Sequence, residues 1–340
     1  MKKYDVIIVG CGPAGVAAAK ILKDNNINFC MIEKEKMPRE KLCGGGLTNK
    51  SVTLLNKLGF KYDEINSKEI TEVQLVSKNI NRNMKLYNKI VMIDRIEFDY
   101  NNLKQVINDN LFEDEKVIEV NNNILITEKD QYEFKYIIFA DGVNGYSRNL
   151  IDNRNFGFCV EYSSNKVTDK TILDFCAIDK GYGWIFPKVG HTTIGLGNFN
   201  KERVDYKNLL LDFSKKYGFE PDEIRGYFIP SFDKKIYKKS VIDDKYILVG
   251  DSASLVDPVS GEGIYYALYS GMMAAKSIVN CINNNKTLKK EYLNKTKLIY
   301  KELKKRISLS KLLYSKHKYF YIKLGLSNRF FIKYINTLFG

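Results

Sequence analysis

Several of the usual markers of chemistry are scarce in this chain. Its 340 residues include two histidines, one tryptophan and six prolines. With only His191 and His317 to draw on, no Ser/His/Asp or paired-carboxylate constellation stands out, so a hydrolase reading has little to rest on. The six cysteines (Cys11, Cys30, Cys43, Cys159, Cys176 and Cys281) are scattered, with no C-x-x-C and no histidine at ligand spacing. A disulfide framework, a structural metal or an iron–sulfur centre is therefore not expected. No apolar run nears the ~18 residues that span a bilayer. The start MKKYDVIIVG passes directly into a strand, without a signal peptide's apolar core and cleavage site, so a cytoplasmic protein is expected. Acidic residues nearly vanish at one end. From Lys286 onward there are 15 Lys and Arg but two acids, almost the whole of the +14 net charge. No zinc-finger, RRM or helix-turn-helix pattern accompanies that charge, so nucleic acid is not the expected partner.

What is present begins at the N-terminus. Tyr4 to Val9 (YDVIIV) is an apolar, β-branched run suited to a strand buried on both faces of a parallel sheet. Gly10-Cys11-Gly12-Pro13-Ala14-Gly15 follows, and VAAAKILKD then supplies a helix. In such a G-x-G-x-x-G turn Gly10 permits the tight bend, Gly12 lets backbone approach a pyrophosphate, and Gly15 lets helix and strand pack closely. The phosphates sit on the first unpaired N–H groups of the helix, whose first turn holds Pro13 and Ala14. A second strand, Asn28 to Ile32, ends at Glu33, eighteen residues past Gly15, where a carboxylate can bind an adenosine ribose. Together these predict a dinucleotide site.

Two later stretches choose between nucleotides. Lys135 to Ala140 (KYIIFA) closes on Asp141-Gly142, and Tyr246 to Val249 (YILV) runs into Gly250-Asp251 and ASLVDPVSGEGIYYALYSG. They resemble the D-G and G-D motifs of FAD-dependent enzymes with the p-hydroxybenzoate hydroxylase fold. That resemblance implies that Asp251 serves the ribityl chain or pyrophosphate. It also implies that Gly261 and Gly263 open a helix at Ile264 whose first N–H groups face the flavin N1 and C2 carbonyl. Arg95-Ile96-Glu97-Phe98-Asp99 fits the same pattern, with Arg95 just before a helix and reaching the flavin side.

Two further stretches narrow the family. Pro38-Arg39-Glu40-Lys41-Leu42-Cys43-Gly44-Gly45-Gly46-Leu47 resembles the PRxKxCGGGL segment of the geranylgeranyl reductase family, and Tyr182 to Gly197 (YGWIFPKVGHTTIGLG) resembles its (Y/F)xWxFPx(7-8)GxG motif at every fixed position. The resemblance spans roughly residues 4 to 280. It implies reduced FAD as the source of hydride for saturating carbon–carbon double bonds of a geranylgeranyl or other polyprenyl lipid. Cys43, Gly44 and Gly45 would lie near the isoalloxazine, with Cys43 either a proton donor or a packed small hydrophobe. Tyr182, Trp184, Phe186, Pro187, Gly195 and Gly197 would serve the substrate. The three aromatics alternate on one strand and the two glycines on the next, which predicts a groove for the chain. NADPH, NADH or reduced ferredoxin could supply electrons, there being no second strand-associated G-x-G-x-x-G. Rival readings are a monooxygenase or halogenase of the same fold, an electron-transfer flavoprotein, or a non-catalytic lipid-binding flavoprotein. A halogenase's W-x-W-x-I-P differs from YGWIFP at Tyr182 and Phe186.

The expected architecture is α/β, a Rossmann-type FAD domain of residues 1–68, 89–154 and 241–285 interrupted by a mostly antiparallel substrate domain of 69–88 and 155–240. A hairpin is expected at 71–77 and 84–87 and helices near 99–111 and 203–217. Residues 286–340 read as a basic helical region, with interleaved aromatics (Tyr292, Tyr300, Tyr314, Tyr319, Phe320, Tyr321, Phe330, Phe331, Tyr334 and Phe339) suited to an anionic membrane surface.

Overall fold

The computed structural model describes residues 1–62, 64–107, 109–151, 155–199 and 204–327. Phe330, Phe331, Tyr334 and Phe339 of the basic end lie outside them.

Strand β1 (Lys2–Val9) is fully buried along its last four residues, as a strand covered on both faces must be. Gly12 caps α1 (Pro13–Asp24), and β2 (Phe29–Ile32) returns parallel to β1. After β3 (Gly46–Leu47) and α2 (Asn49–Leu58), a long hairpin of β4 (Ser67–Ser77) and β5 (Ile80–Ile93) leaves the first sheet. The chain comes back through α3 (Arg95–Lys104), β6 (Leu111–Phe112), the β7 (Val117–Asn121) and β8 (Ile124–Thr127) hairpin, and β9 (Gln131–Phe139). It then inserts β10 (Phe156–Ser164), β11 (Ile172–Asp174), β12 (Gly181–Pro187), β13 (Thr192–Asn198), α4 (Tyr206–Lys216) and β14 (Arg225–Pro230). Short α5 (Lys234–Lys238), β15 (Val241–Ile242) and β16 (Tyr246–Leu248) lead to the long α6 (Ile264–Asn284), then α7 (Leu288–Lys295), α8 (Lys297–Leu313) and α9 (Lys318–Ser327).

Two sheets result. The first has the order β15-β16-β9-β1-β2-β6, with β1 parallel to both β2 and β9 and β16 parallel to β9. The second runs β14-β10-β13-β12-β11-β4-β5-β3. One face of the second sheet packs on α4 through Ile185, Ile194, Leu196 and Phe213, and the other carries Trp184, Cys159, Leu173 and Met92 toward the nucleotide half. Mixed α/β architecture with a Rossmann-like first sheet and an antiparallel insertion is thus present.

The differences from the sequence reading are local. The hairpin spans 67–93, longer than 71–87, because pairing resumes beyond a bulge between Ile70 and Glu72 and runs from Ile70–Ile90 to Ser67–Ile93. The helix expected near 99–111 is α3, which starts at Arg95 and stops at Lys104, so Arg95 is its first residue and does not precede it. An Arg95–Asp99 ion pair at i,i+4 fastens that first turn. Strand β14, absent from the sequence reading, completes the second sheet beside β10.

The C-terminal region is helical, but its aromatics face inward more than outward. Tyr292 is fully buried, Tyr300 stacks on Tyr237 at 4.7 Å, and the Tyr314 hydroxyl donates to the Val259 carbonyl. On α8, Arg306 is 4% exposed and pairs with the equally buried Asp257, Nε to Oδ2 at 3.4 Å. Burial pushes the Asp257 carboxyl above its usual range, with Arg306 and the Val259 and Ser260 N–H groups pulling the other way. Removing one partner of such a pair leaves an uncompensated buried charge, so Arg306→Ala should lower unfolding free energy by about 3 kcal/mol in urea denaturation. A loss below about 1 kcal/mol would mark the contact as a solvated surface pair.

Candidate active site

At the end of β1, Gly10 turns the chain at φ +99°, with the place its Cβ would take 2.4 Å from the Ala140 carbonyl oxygen. Only glycine closes this bend. Gly12 is different. The nearest atom to its absent Cβ is Arg39 Nη2, 3.7 Å away, so the N-terminal end of α1 opens onto space and not onto packed protein. The Glu33 carboxylate, 4% exposed, accepts the Cys11 N–H at 2.8 Å through Oε2 and the Glu35 N–H at 3.3 Å through Oε1. Arg39 stands between two carboxylates, Nε 3.6 Å from Glu33 and Nη1 4.0 Å from Asp99. Helix N–H groups, a buried carboxylate and a guanidinium beside Gly12 are the kind of donor and acceptor set that a dinucleotide's pyrophosphate and ribose require.

Further along, Arg95 grips Asp99 at 2.9 and 2.7 Å. Its guanidinium also hydrogen-bonds the Cys43 sulfur, and although burial opposes its charge, Asp99 and Cys43 raise its pKa above the ordinary value. The Cys43 sulfur accepts from the Gly45 N–H at 3.4 Å. Gly44 presses on the second sheet, where a Cβ would stand 2.8 Å from the Phe186 ring, and Gly45 has φ +76° with its Cβ position 2.2 Å from the Ile93 carbonyl. The protein itself therefore demands these two glycines.

The two motif aspartates divide their labour. The Asp141 carboxylate is taken up by the Ser147 N–H (2.8 Å) and the hydroxyls of Ser147 (2.6 Å) and Ser252 (2.8 Å), which ties two loops together. Asp251 instead lines open space beside Gly263 at the start of α6.

All of these surfaces belong to one cavity of about 890 Å³. Gly10, Gly12, Pro13, Ala14 and Glu33 form one end, and Cys43, Gly44, Gly45, Arg95, Asp251, Gly261, Gly263 and Ile264 line it further in. Gly15 does not line it. Its absent Cβ would lie 2.0 Å from the Gly10 carbonyl, which is a packing role. Tyr182, Trp184, Phe186 and Gly197 form the far wall, whereas Pro187 and Gly195 are not part of the lining.

The strand register brings Tyr182 opposite Gly197 and Trp184 opposite Gly195. The expected groove over the two glycines is corrected by their contacts. The Trp184 indole lies across Gly195, 2.4 Å from its Cβ position, and the Cys159 sulfur fills the space over Gly197 at 2.3 Å. The glycines let the indole and the thiol settle flat against the sheet, and the open volume lies above them.

Sequence reasoning missed four lining or supporting residues. Arg39 was within a quoted motif and could have been found by its spacing from Glu33. Glu161 and Tyr227 meet only through the β10–β14 pairing, and Tyr314 reaches the cavity from the end of α8, so neither spacing nor motif pointed to them. Among the described residues no group of three or more His, Cys, Asp or Glu is placed to hold a metal ion.

Residues 4–168 match the family model described as pyridine nucleotide-disulphide oxidoreductase. The chain is 33% identical to an uncharacterized protein of Methanosarcina barkeri, covering 98% of this chain and 88% of that one. It is 26% identical to the chloroplastic geranylgeranyl diphosphate reductase of Arabidopsis thaliana, over 84% of this chain and 68% of that protein. The chain belongs to the geranylgeranyl reductase family of flavin-dependent oxidoreductases. Its fold is shared with a geranylgeranyl bacteriochlorophyll reductase-like protein from Thermoplasma acidophilum, with TM-score 0.78 at 23% identity over 92% of this chain and 88% of that one. A flavin-dependent brominase shares it too, with TM-score 0.80 at 16% identity over 99% and 93% of the two chains. The open end of α1 is where a dinucleotide's pyrophosphate would meet the helix N–H groups. Gly12→Val, which fills that space and spares the buried turn, should weaken FAD binding about tenfold or more, roughly 1.4 kcal/mol. Flavin retained on gel filtration would report the loss, with circular dichroism unchanged.

Proposed function

We propose that the chain is an FAD-dependent reductase that saturates carbon–carbon double bonds of a geranylgeranyl or related polyprenyl lipid. The observation that carries this reading is the continuity of the cavity from the nucleotide loop to the Tyr182, Trp184 and Phe186 wall, with Val73, Ile90 and Met92 adding aliphatic surface. Glu33, Arg39 and the first turn of α1 would hold the nucleotide, and Asp251 and the Gly261–Ile264 turn would hold the flavin end. Bound and reduced, FAD would supply hydride. An isolated alkene has no carbonyl to polarise, so the chain's own residues contribute position and exclusion of water. The stacked Trp184 and Phe186 rings, 6.2 Å apart, form a flat apolar floor for the polyprenyl chain.

A halogenase or monooxygenase reading shares the fold. YGWIFP departs from the halogenase segment at two positions, and named relatives of this family favour reduction. The electron donor is a nicotinamide nucleotide or reduced ferredoxin on this reading. No helix among the described residues is long and apolar enough to cross a membrane. A peripheral lipid contact would fall to α8 and α9, where Leu298, Leu312, Phe320 and Leu324 are exposed between lysines.

Anaerobic, chemically reduced holoenzyme mixed with a geranylgeranyl lipid should reoxidise and yield product heavier by one H2 per double bond. Oxygen-dependent formation of hydroxylated or halogenated product instead would reverse the assignment. Trp184→Ala should slow lipid-dependent reoxidation about a hundredfold through misplacement of the alkene, with FAD content unchanged. In sedimentation with anionic vesicles, salt-sensitive binding should appear and diminish in the Phe320→Ser, Leu324→Ser double variant, as expected for an apolar face backed by lysines.

A further inference from the structure

One buried pair at the substrate end of the cavity has no part in the reaction as described so far. Glu161 on β10 is 3% exposed and stands opposite Gly195 on one side and Arg225 on the other. Its carboxylate accepts the Cys43 backbone N–H and the Tyr227 hydroxyl, the latter 3.3 Å from Oε2. Tyr227 sits opposite Cys159 on the neighbouring strand, with its hydroxyl in hydrogen-bond reach of the Cys159 sulfur, and it lines the cavity. The charged groups that face Glu161 are Lys188 and Arg225. Burial outweighs both and pushes its carboxyl above the usual carboxylate range, and burial also lifts the Tyr227 phenol. Both shifts run toward holding the proton more firmly.

We propose that Tyr227 is the proton donor to the alkene and that Glu161 is the group that restores its proton. This rests on the polyprenyl-reductase reading above. Saturating one double bond takes a hydride, from reduced flavin, on one carbon and a proton on the other. The Tyr227 O–H bond breaks as a C–H bond forms at the second carbon. The phenolate then takes the Glu161 carboxyl proton, and the Glu161 carboxylate regains one from solvent between turnovers. Cys43 is less suited to this step, since its sulfur is already engaged by the Gly45 N–H and by Arg95. The Cys43 N–H that Glu161 accepts links the acid to the loop that passes the reacting centre.

The test uses dithionite-reduced holoenzyme mixed anaerobically with geranylgeranyl diphosphate, with flavin absorbance as the readout. Wild type should reoxidise, and Tyr227→Phe should do so roughly a hundredfold more slowly, the usual scale of general-acid catalysis, with FAD content and lipid affinity unchanged. Because the acid form of Glu161 is required, the wild-type rate should fall as pH rises through its titration. Glu161→Gln, which still accepts the Cys43 N–H, should slow the reaction and flatten that profile. Independently of turnover, infrared spectra of the oxidised protein should contain a protonated-carboxyl band that Glu161→Gln lacks. A wild type inert toward the lipid overturns the reductase reading and this proposal with it. An active wild type matched by Tyr227→Phe overturns the proton-donor role alone. A slow Tyr227→Phe beside a Glu161→Gln of unchanged rate, pH profile and infrared spectrum overturns the part given to Glu161.

Discussion

Much of the site depends on one buried carboxylate, Asp257. Its Oδ1 accepts the Val259 N–H at 2.8 Å, its backbone closes turns with Glu262 and Gly261 at 2.9 Å, and its Oδ2 meets Arg306 of α8. The loop it organises leads into α6, whose first turn lines the cavity. The same loop receives the Tyr182 hydroxyl on the Ser260 carbonyl, at 2.5 Å, and the Tyr314 hydroxyl on the Val259 carbonyl. Insertion, nucleotide half and C-terminal helix therefore meet on seven residues, 257–263. Taking Asp257 out of water costs free energy, and burial does raise its pKa. The compensation is geometric, because one acid fixes the backbone that faces the cavity and the helix that closes it.

The nucleotide end was legible in the sequence because its rules are local. A buried strand, a glycine turn and a helix follow one another within 24 residues, and Gly15 is required by the Gly10 carbonyl a few residues earlier. The wall was half legible. Alternation placed Tyr182, Trp184 and Phe186 on one face, but what fills the glycine positions depends on rotamers and on Cys159 of a third strand. Pattern cannot supply either. Arg95 shows the same limit, for its place in the motif pointed to the flavin side and not to its local grip on Asp99.

The basic end was the least legible. Net charge describes solvated side chains well, but Arg306 is one of the 15 cations counted there and is among the most buried. Its function is decided by Asp257, nearly 50 residues earlier in sequence. Likewise the aromatics of α7 and α8 read as an interfacial belt, yet Tyr292 and Tyr314 serve the core and the cavity. Composition could not separate an anchoring face from a packing face, because tyrosine and lysine stems suit both.

Shared architecture with a brominase at TM-score 0.80 shows how little the fold itself decides. A flavin with a dry pocket can serve hydride transfer to an alkene or chemistry on an aromatic ring. The choice lies in what surrounds the reacting atoms. Here the wall offers a flat aromatic surface, with Trp184 and Phe186 stacked 6.2 Å apart, and burial pushes the nearby Glu161 carboxyl above its usual range. Lys188, 5% exposed, is turned behind the glycine loop, its ammonium 3.2 Å from Asp94 and 2.9 Å from the Gly45 Cβ position. Its charge serves Asp94 behind that loop and offsets part of the cost of burying Glu161 on β10, so one cation ties the glycine loop to the acid beside the aromatic wall.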